Sequence, residues 1–154
     1  MVTKTIIANY GDPNLGKTKS VVLAYKKLKN KGERKVICDP EYNNGDLCAI
    51  ITINNVKVGF SSLGDPRSCQ KEWLDSLVKE DCTIILTACH HSGATVTVIE
   101  DTARANGYRI YWTSNARLFE DRTNPRVAPK GICDRFNEQW AEEIANLIES
   151  WCYA

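Results

Sequence analysis

Long apolar runs are missing from this 154-residue chain. None approaches the ~20 residues that a bilayer span requires. The first ten residues hold too short an apolar core for a secretory signal, so none is expected. An excess of charge is missing too. Twenty basic residues face nineteen acidic ones, for a net charge of +1. A whole-molecule field that gathers nucleic acid or an anionic membrane is therefore not expected. Histidine is scarce, with only His90 and His91. No Cys-x-x-Cys pair occurs among seven cysteines, an odd number, and several of these lie inside apolar runs. That usage predicts free thiols, no disulfides and a cytoplasmic location. Internal repeats, low-complexity stretches and clear linkers are also lacking, so the length predicts one domain over 1–154.

What is present is alternation. β-Rich runs are read at 3–9, 35–38, 47–53, 56–61, 82–88 and 108–113, and helical patterns at 17–30, 65–79, 95–106 and 134–151. Asn54-Asn55 separates two β-runs and suits a two-residue hairpin, because Asn tolerates positive φ. Gly107 reads as the stop of the helix before it. Strands alternating with helices predict an α/β fold, a three-layer sandwich with a mostly parallel sheet and one β-hairpin insertion. The four tryptophans, Trp73, Trp112, Trp140 and Trp151, fall on apolar faces and read as core.

The segment Gly11-Asp12-Pro13-Asn14-Leu15-Gly16-Lys17-Thr18 matches G-x-x-x-x-G-K-[ST] at every fixed position. A strand precedes it and an amphipathic helix follows, which is the context the pattern requires. Glycines let a backbone bring its N–H groups close to an anion. The helix start adds unpaired donors and the positive end of its dipole. Lys17 places a charge on the outer phosphates, and the Thr18 hydroxyl can ligate Mg²⁺. Gly11 through Thr18, with Lys19 beside them, are thus the candidate nucleotide-binding residues. Here the chain resembles the P-loop NTPase superfamily, and in layout it is similar to small P-loop kinases. The resemblance implies a nucleoside triphosphate, ATP first, as ligand and Mg²⁺ as cofactor.

Two aspartates are candidate partners of that loop. Asp39 ends Lys35-Val36-Ile37-Cys38, and Asp65 follows Val58-Gly59-Phe60-Ser61-Ser62-Leu63-Gly64. The latter stretch is similar to the strand-D-x-x-G element of the superfamily, with Ser61 where the acid would stand. By resemblance, Asp39, with Glu41 and Asp46 nearby, turns toward a phosphoryl acceptor and Asp65 toward the metal. Each also suits a turn or helix cap before its proline. Six of eight arginines lie between residues 104 and 135. Arg117, Arg122 and Arg126 fall in the aperiodic segment 114–133, a candidate lid whose Arg122 and Arg126 would act on the moving phosphoryl group; the alternative is a solvated basic loop. Cys89-His90-His91 follows a central strand, but no second Cys/His pair stands at metal-ligand spacing.

The expected function is ATP-Mg²⁺ binding with phosphoryl transfer to a small acceptor, with Lys17, Asp39, Arg122 and Arg126 as the catalytic set and Thr18 and Asp65 on the metal. The alternative is an NTPase or nucleotide-sensing module that hydrolyses or binds ATP or GTP and acts on a protein partner. A GTPase-like switch is disfavoured, since no Asn-Lys-x-Asp stretch follows any strand.

Overall fold

The computed structural model describes residues 2–11, 17–64, 68–90, 93–115 and 130–154. Ten elements follow one another: β1 (Thr5–Gly11), α1 (Lys17–Leu28), β2 (Glu33–Cys38), β3 (Cys48–Ile53), β4 (Val56–Ser61), α2 (Gln70–Lys79), β5 (Ile84–His90), α3 (Ala94–Asn106), β6 (Arg109–Thr113) and α4 (Lys130–Cys152). The strands form one sheet in the order β2-β3-β4-β5-β1-β6.

β1 pairs in parallel with β5 and β6, and β4 pairs in parallel with β5. Only β3 runs against the rest, because it is antiparallel to both β4 and β2. Its hairpin to β4 turns at Asn54 and Asn55, whose φ values of 49° and 63° are the left-handed pair a tight primed turn needs. Five strands therefore end at one edge of the sheet, at Gly11, Cys38, Ser61, His90 and Thr113. The chain enters the reversed strand β3 at that same edge.

Helices cover both faces. On one, Val21, Ala24, Tyr25 and Leu28 of α1 recur at helical spacing. They join Ala141, Ala145, Ile148 and Cys152 of α4 over Ile7, Ile51, Phe60, Ile84 and Leu86. On the other, Leu74 and Leu77 of α2 and Ile99 and Ala103 of α3 cover Ile6, Ala8, Ile50 and Ile85. Successive strand residues feed opposite faces, as the period of two requires. Along the α1–α4 seam, Lys19 pairs with Asp134, Lys27 with Glu138 and Glu142, and Lys31 with Glu149. Such exposed pairs set register more than stability. The hydrogen bond to Glu138 holds the Lys27 ammonium above its ordinary pKa.

The α/β class, the mostly parallel sheet and the hairpin at Asn54-Asn55 agree with the sequence; the antiparallel pairing of β2 with β3 was not expected. Several expectations change. β2 reads as an apolar strand but is an exposed edge, with Val36 and Ile37 facing solvent and a register shift after Val36. Trp112 is 41% exposed, not core, and stands edge-on to the exposed Tyr10. The last helix begins at Lys130, inside the segment read as a loop; 116–129 lie outside the described residues.

Gly32 joins α1 to β2 where a Cβ would come 1.9 Å from the Thr52 carbonyl oxygen. Backbone cannot yield as a side chain does. Gly32→Ala should cost about 3 kcal/mol in denaturant unfolding. Gly45 (φ 86°) has open space around it, so Gly45→Ala should lose only the ~1 kcal/mol of left-handed strain. Equal losses in the two variants would contradict this assignment.

Candidate functional site

β1 ends at Gly11 and α1 begins at Lys17, so the strand, the loop and the helix start occur in the order the motif requires. Asp12, Pro13, Asn14, Leu15 and Gly16 lie outside the described residues. At the helix start, Lys17 is 9% exposed and its Nζ donates to the Cys89 carbonyl at 3.0 Å. Cys89 belongs to β5, the parallel neighbour of β1. The Thr18 hydroxyl donates to the Ser62 carbonyl just past β4 at 3.2 Å. Two consecutive residues of α1 thus dock on the carboxyl ends of two adjacent strands. That edge is where open α/β sheets take ligands.

The first turn of α1 contains Lys17 and Lys19 and no acidic residue. Cations at a helix N-terminus oppose its dipole, by roughly 0.3–1 kcal/mol each. Lys19 is offset by Asp134 at 3.0 Å. The first turn as a whole therefore presents donors and positive charge, an arrangement an anion would relieve.

Ser62 ties the loop after β4 to the entry of β3. Its hydroxyl donates to Asp46 Oδ1 at 2.9 Å and accepts from the Leu47 N–H at 2.8 Å. Its carbonyl accepts the Thr18 hydroxyl, so Thr18 and Asp46 both bond Ser62, through its main chain and its side chain. Neighbouring Ser61 is fully buried, and its Oγ has no hydrogen-bond partner. Gly64 lies so close to β5 that a Cβ would stand 2.7 Å from the Ala88 carbonyl carbon. This contact holds the segment after β4 against the strand that carries the Lys17 acceptor.

Asp39 is exposed and closes its own turn, where Oδ1 accepts from the Glu41 N–H at 2.9 Å. Its strand lies three strand spacings from β5, about 14 Å. Asp39 borders a cavity of about 400 Å³ along α1, lined also by Tyr25, Lys26, Lys29, Arg34 and Glu41. Asp65, Arg122, Arg126, His91 and Ser92 lie outside the described residues. His90 is the register partner of Gly11. Among the described residues no group of three or more His, Cys, Asp and Glu side chains could hold a metal. Burial pushes the Cys89 thiol up, against the opposing Thr95 hydrogen bond and Lys17 charge. It sends Cys48 and Cys82 up to about 12, so none of these thiols is primed as a nucleophile.

Mg²⁺ takes oxygen ligands, typically one or two carboxylates with substrate phosphates and water. The Thr18 hydroxyl and Asp46 carboxylate are such donors, so the local chemistry fits. Ser62, Asp46 and the Cys89 carbonyl were not singled out for the loop by sequence; a main-chain acceptor leaves no residue-type signal.

A buried polar group joins the end of β1 to the first turn of α1. Asn9 Nδ2 donates to Asn115 Oδ1 at 2.9 Å, and Asn115 Nδ2 donates to Ser20 Oγ at 2.6 Å and to Asn137 Oδ1. It links β1, α1, the exit of β6 and α4.

Comparison with protein-family models, with curated proteins and with solved structures finds no match. No helix among the described residues is long and apolar enough to cross a membrane.

Proposed function

We propose that the chain binds a nucleoside triphosphate, ATP first, with Mg²⁺ at Gly11–Thr18 and Lys19, and transfers its terminal phosphoryl group to a small acceptor. The fold would then be of P-loop NTPase type. The observation that carries the reading is the docking of Lys17 at the start of α1 on the end of β5, beside β1. It sets an ammonium beside a helix N-terminus with no acid in its first turn. Lys17 neutralises charge on the outer phosphates, and the helix amides hold the chain of phosphates in place. Mg²⁺ would offset charge that develops on the transferred group. The cavity along α1, with Lys26, Lys29 and Arg34 beside Asp39 and Glu41, suits a small polar acceptor. Arg122 and Arg126 remain the candidate guanidinium groups, and Asp65 a candidate metal residue.

A second reading, hydrolysis coupled to a protein partner, is favoured by Asp39, whose carboxylate oxygen is engaged in its own turn at the far edge of the sheet. A thermal-shift series with ATP, GTP and inorganic triphosphate, each with and without Mg²⁺, tests binding. Saturating ATP-Mg²⁺ at 100 times its Kd should add about 2.7 kcal/mol of stability. No shift with any of them would reject the reading. Product analysis then separates the two fates: phosphate released without an acceptor favours hydrolysis, and a phosphorylated small molecule favours transfer.

A further inference from the structure

A nucleoside triphosphate with Mg²⁺ brings a cation that needs a protein carboxylate or its equivalent near the Thr18 hydroxyl. The end of β4 lies beside Thr18, yet it presents Ser61 and Ser62, neither of which carries charge. β3 changes what stands there. It is the one reversed strand, so its entry, not its exit, lies at the edge where β1, β4 and β5 end. That entry carries Asp46, which is half-buried and fixed by Ser62 at 2.9 Å. The carbonyl of the same serine receives Thr18.

We infer that Asp46, brought to the carboxyl edge by the reversed strand β3 and positioned by Ser62, supplies the carboxylate for the Mg²⁺ of the bound nucleotide. The inference rests on the proposed nucleotide site and goes beyond it by naming the residue. Two observations carry it beside the motif: Ser62 takes the Thr18 hydroxyl on its main-chain carbonyl and holds Asp46 Oδ1 with its own hydroxyl, and among the described residues the end of β4 offers only the uncharged Ser61 and Ser62. Thr18 would exchange its bond to the Ser62 carbonyl for the cation. Ser62 would keep the carboxylate from swinging away, as an outer hydrogen bond does for a metal ligand.

The test uses Asp46→Asn, which keeps an acceptor for the Ser62 hydroxyl and removes the charge. Binding of a non-hydrolysable ATP analogue is measured by calorimetry in Mg²⁺ and in EDTA, with Mn²⁺ binding followed by electron paramagnetic resonance. The wild type should bind more tightly with Mg²⁺ than without. In Asp46→Asn that gain should shrink by about 10- to 100-fold, and Mn²⁺ should bind correspondingly more weakly. Affinity in EDTA should stay the same or rise, because a carboxylate facing bare phosphates repels them. Asp75→Asn, on the exposed face of α2, should behave as the wild type. An undiminished Mg²⁺ gain in Asp46→Asn would overturn the inference, and so would an equal loss in Mg²⁺ and EDTA, which signals a structural role. A wild type that binds no nucleotide in either medium would instead overturn the proposed site, and this inference with it.

Discussion

Lys17→Ala should weaken nucleotide binding by about 10- to 150-fold without unfolding the protein. The range follows from the 1.5–3 kcal/mol that a hydrogen bond to a charged group contributes, at about 1.4 kcal/mol per factor of ten. The structural cost should be small, for two opposing reasons. Truncation removes the 3.0 Å bond to the Cys89 carbonyl. It also removes a cation from the positive end of a helix whose first turn holds no acid. The two effects are similar in size, so the melting temperature without ligand should change by no more than a few degrees. On the proposed reading, Lys17 should matter more to a bound anion than to the empty fold. Calorimetry with the ATP analogue, together with a thermal melt, reads both quantities. Unchanged affinity would remove the phosphate assignment. A collapse of the melting temperature would instead make Lys17 a structural residue.

How far the sequence reached depends on the range of the interaction behind each feature. Asn54-Asn55 and Gly107 announced a hairpin and a helix stop because backbone conformation is decided within a few residues. Gly107 indeed takes φ 76° at the end of α3. The stripe Phe136, Trp140, Ile144, Leu147, Ile148 and Trp151 announced α4 because burial imposes a 3.6-residue period, although Leu147 is exposed. Strand order is different. Lys35–Cys38 and Cys82–Ala88 both read as strands; the uninterrupted apolar run of the second marks it as buried, and it is, but the first is an exposed edge that Val36-Ile37-Cys38 does not announce. The difference lies in which neighbours each strand finds, and no local pattern encodes that.

The candidate site divides in the same way. The motif at Gly11–Thr18 can be read in sequence because it is made of consecutive residues, and the described residues place its two flanks, the end of β1 and the start of α1, in the order it needs. The partner of Thr18 could not be read there, because it is a main-chain carbonyl just past β4; Asp46 near it depends on β3 running backwards. Asp39 and Asp46 both stand between β2 and β3; the resemblance put Asp39, with Asp46 nearby, toward an acceptor and Asp65 toward the metal. Only the reversal of β3 shows that the residue entering a strand can reach the edge where other strands finish. Trp112 was misread for a related reason: an alternating strand reads as covered on one face, but β6 is the outermost strand and its residues are at most half-buried.

Asn115→Leu is expected to be among the most destabilising single changes, at about 3–5 kcal/mol. Asn115 is 7% exposed and sits between Asn9, Ser20 and Asn137, three residues that are themselves buried. Leucine matches its volume roughly but offers no polar atom. The Asn9 amide would lose its acceptor at 2.9 Å, Ser20 its donor at 2.6 Å, and Asn137 its donor. Each buried group left unpaired costs about 1–3 kcal/mol. Asn9 Oδ1 already lacks a partner, so the change would leave both ends of that buried amide unpaired. The change would also be felt at the loop: Asn9 lies two residues before Gly11, Ser20 two residues after Thr18, and their shared partner fixes strand and helix relative to one another. Asn115→Leu should therefore lower both unfolding free energy and nucleotide affinity, whereas Phe60→Ala, a cavity in the core away from the polar group, should cost a similar 3–5 kcal/mol with affinity nearly kept. Denaturant unfolding and calorimetry on the two variants separate the cases. Equal affinity in both, at comparable stability, would show that the asparagine group holds the fold together but does not set the loop.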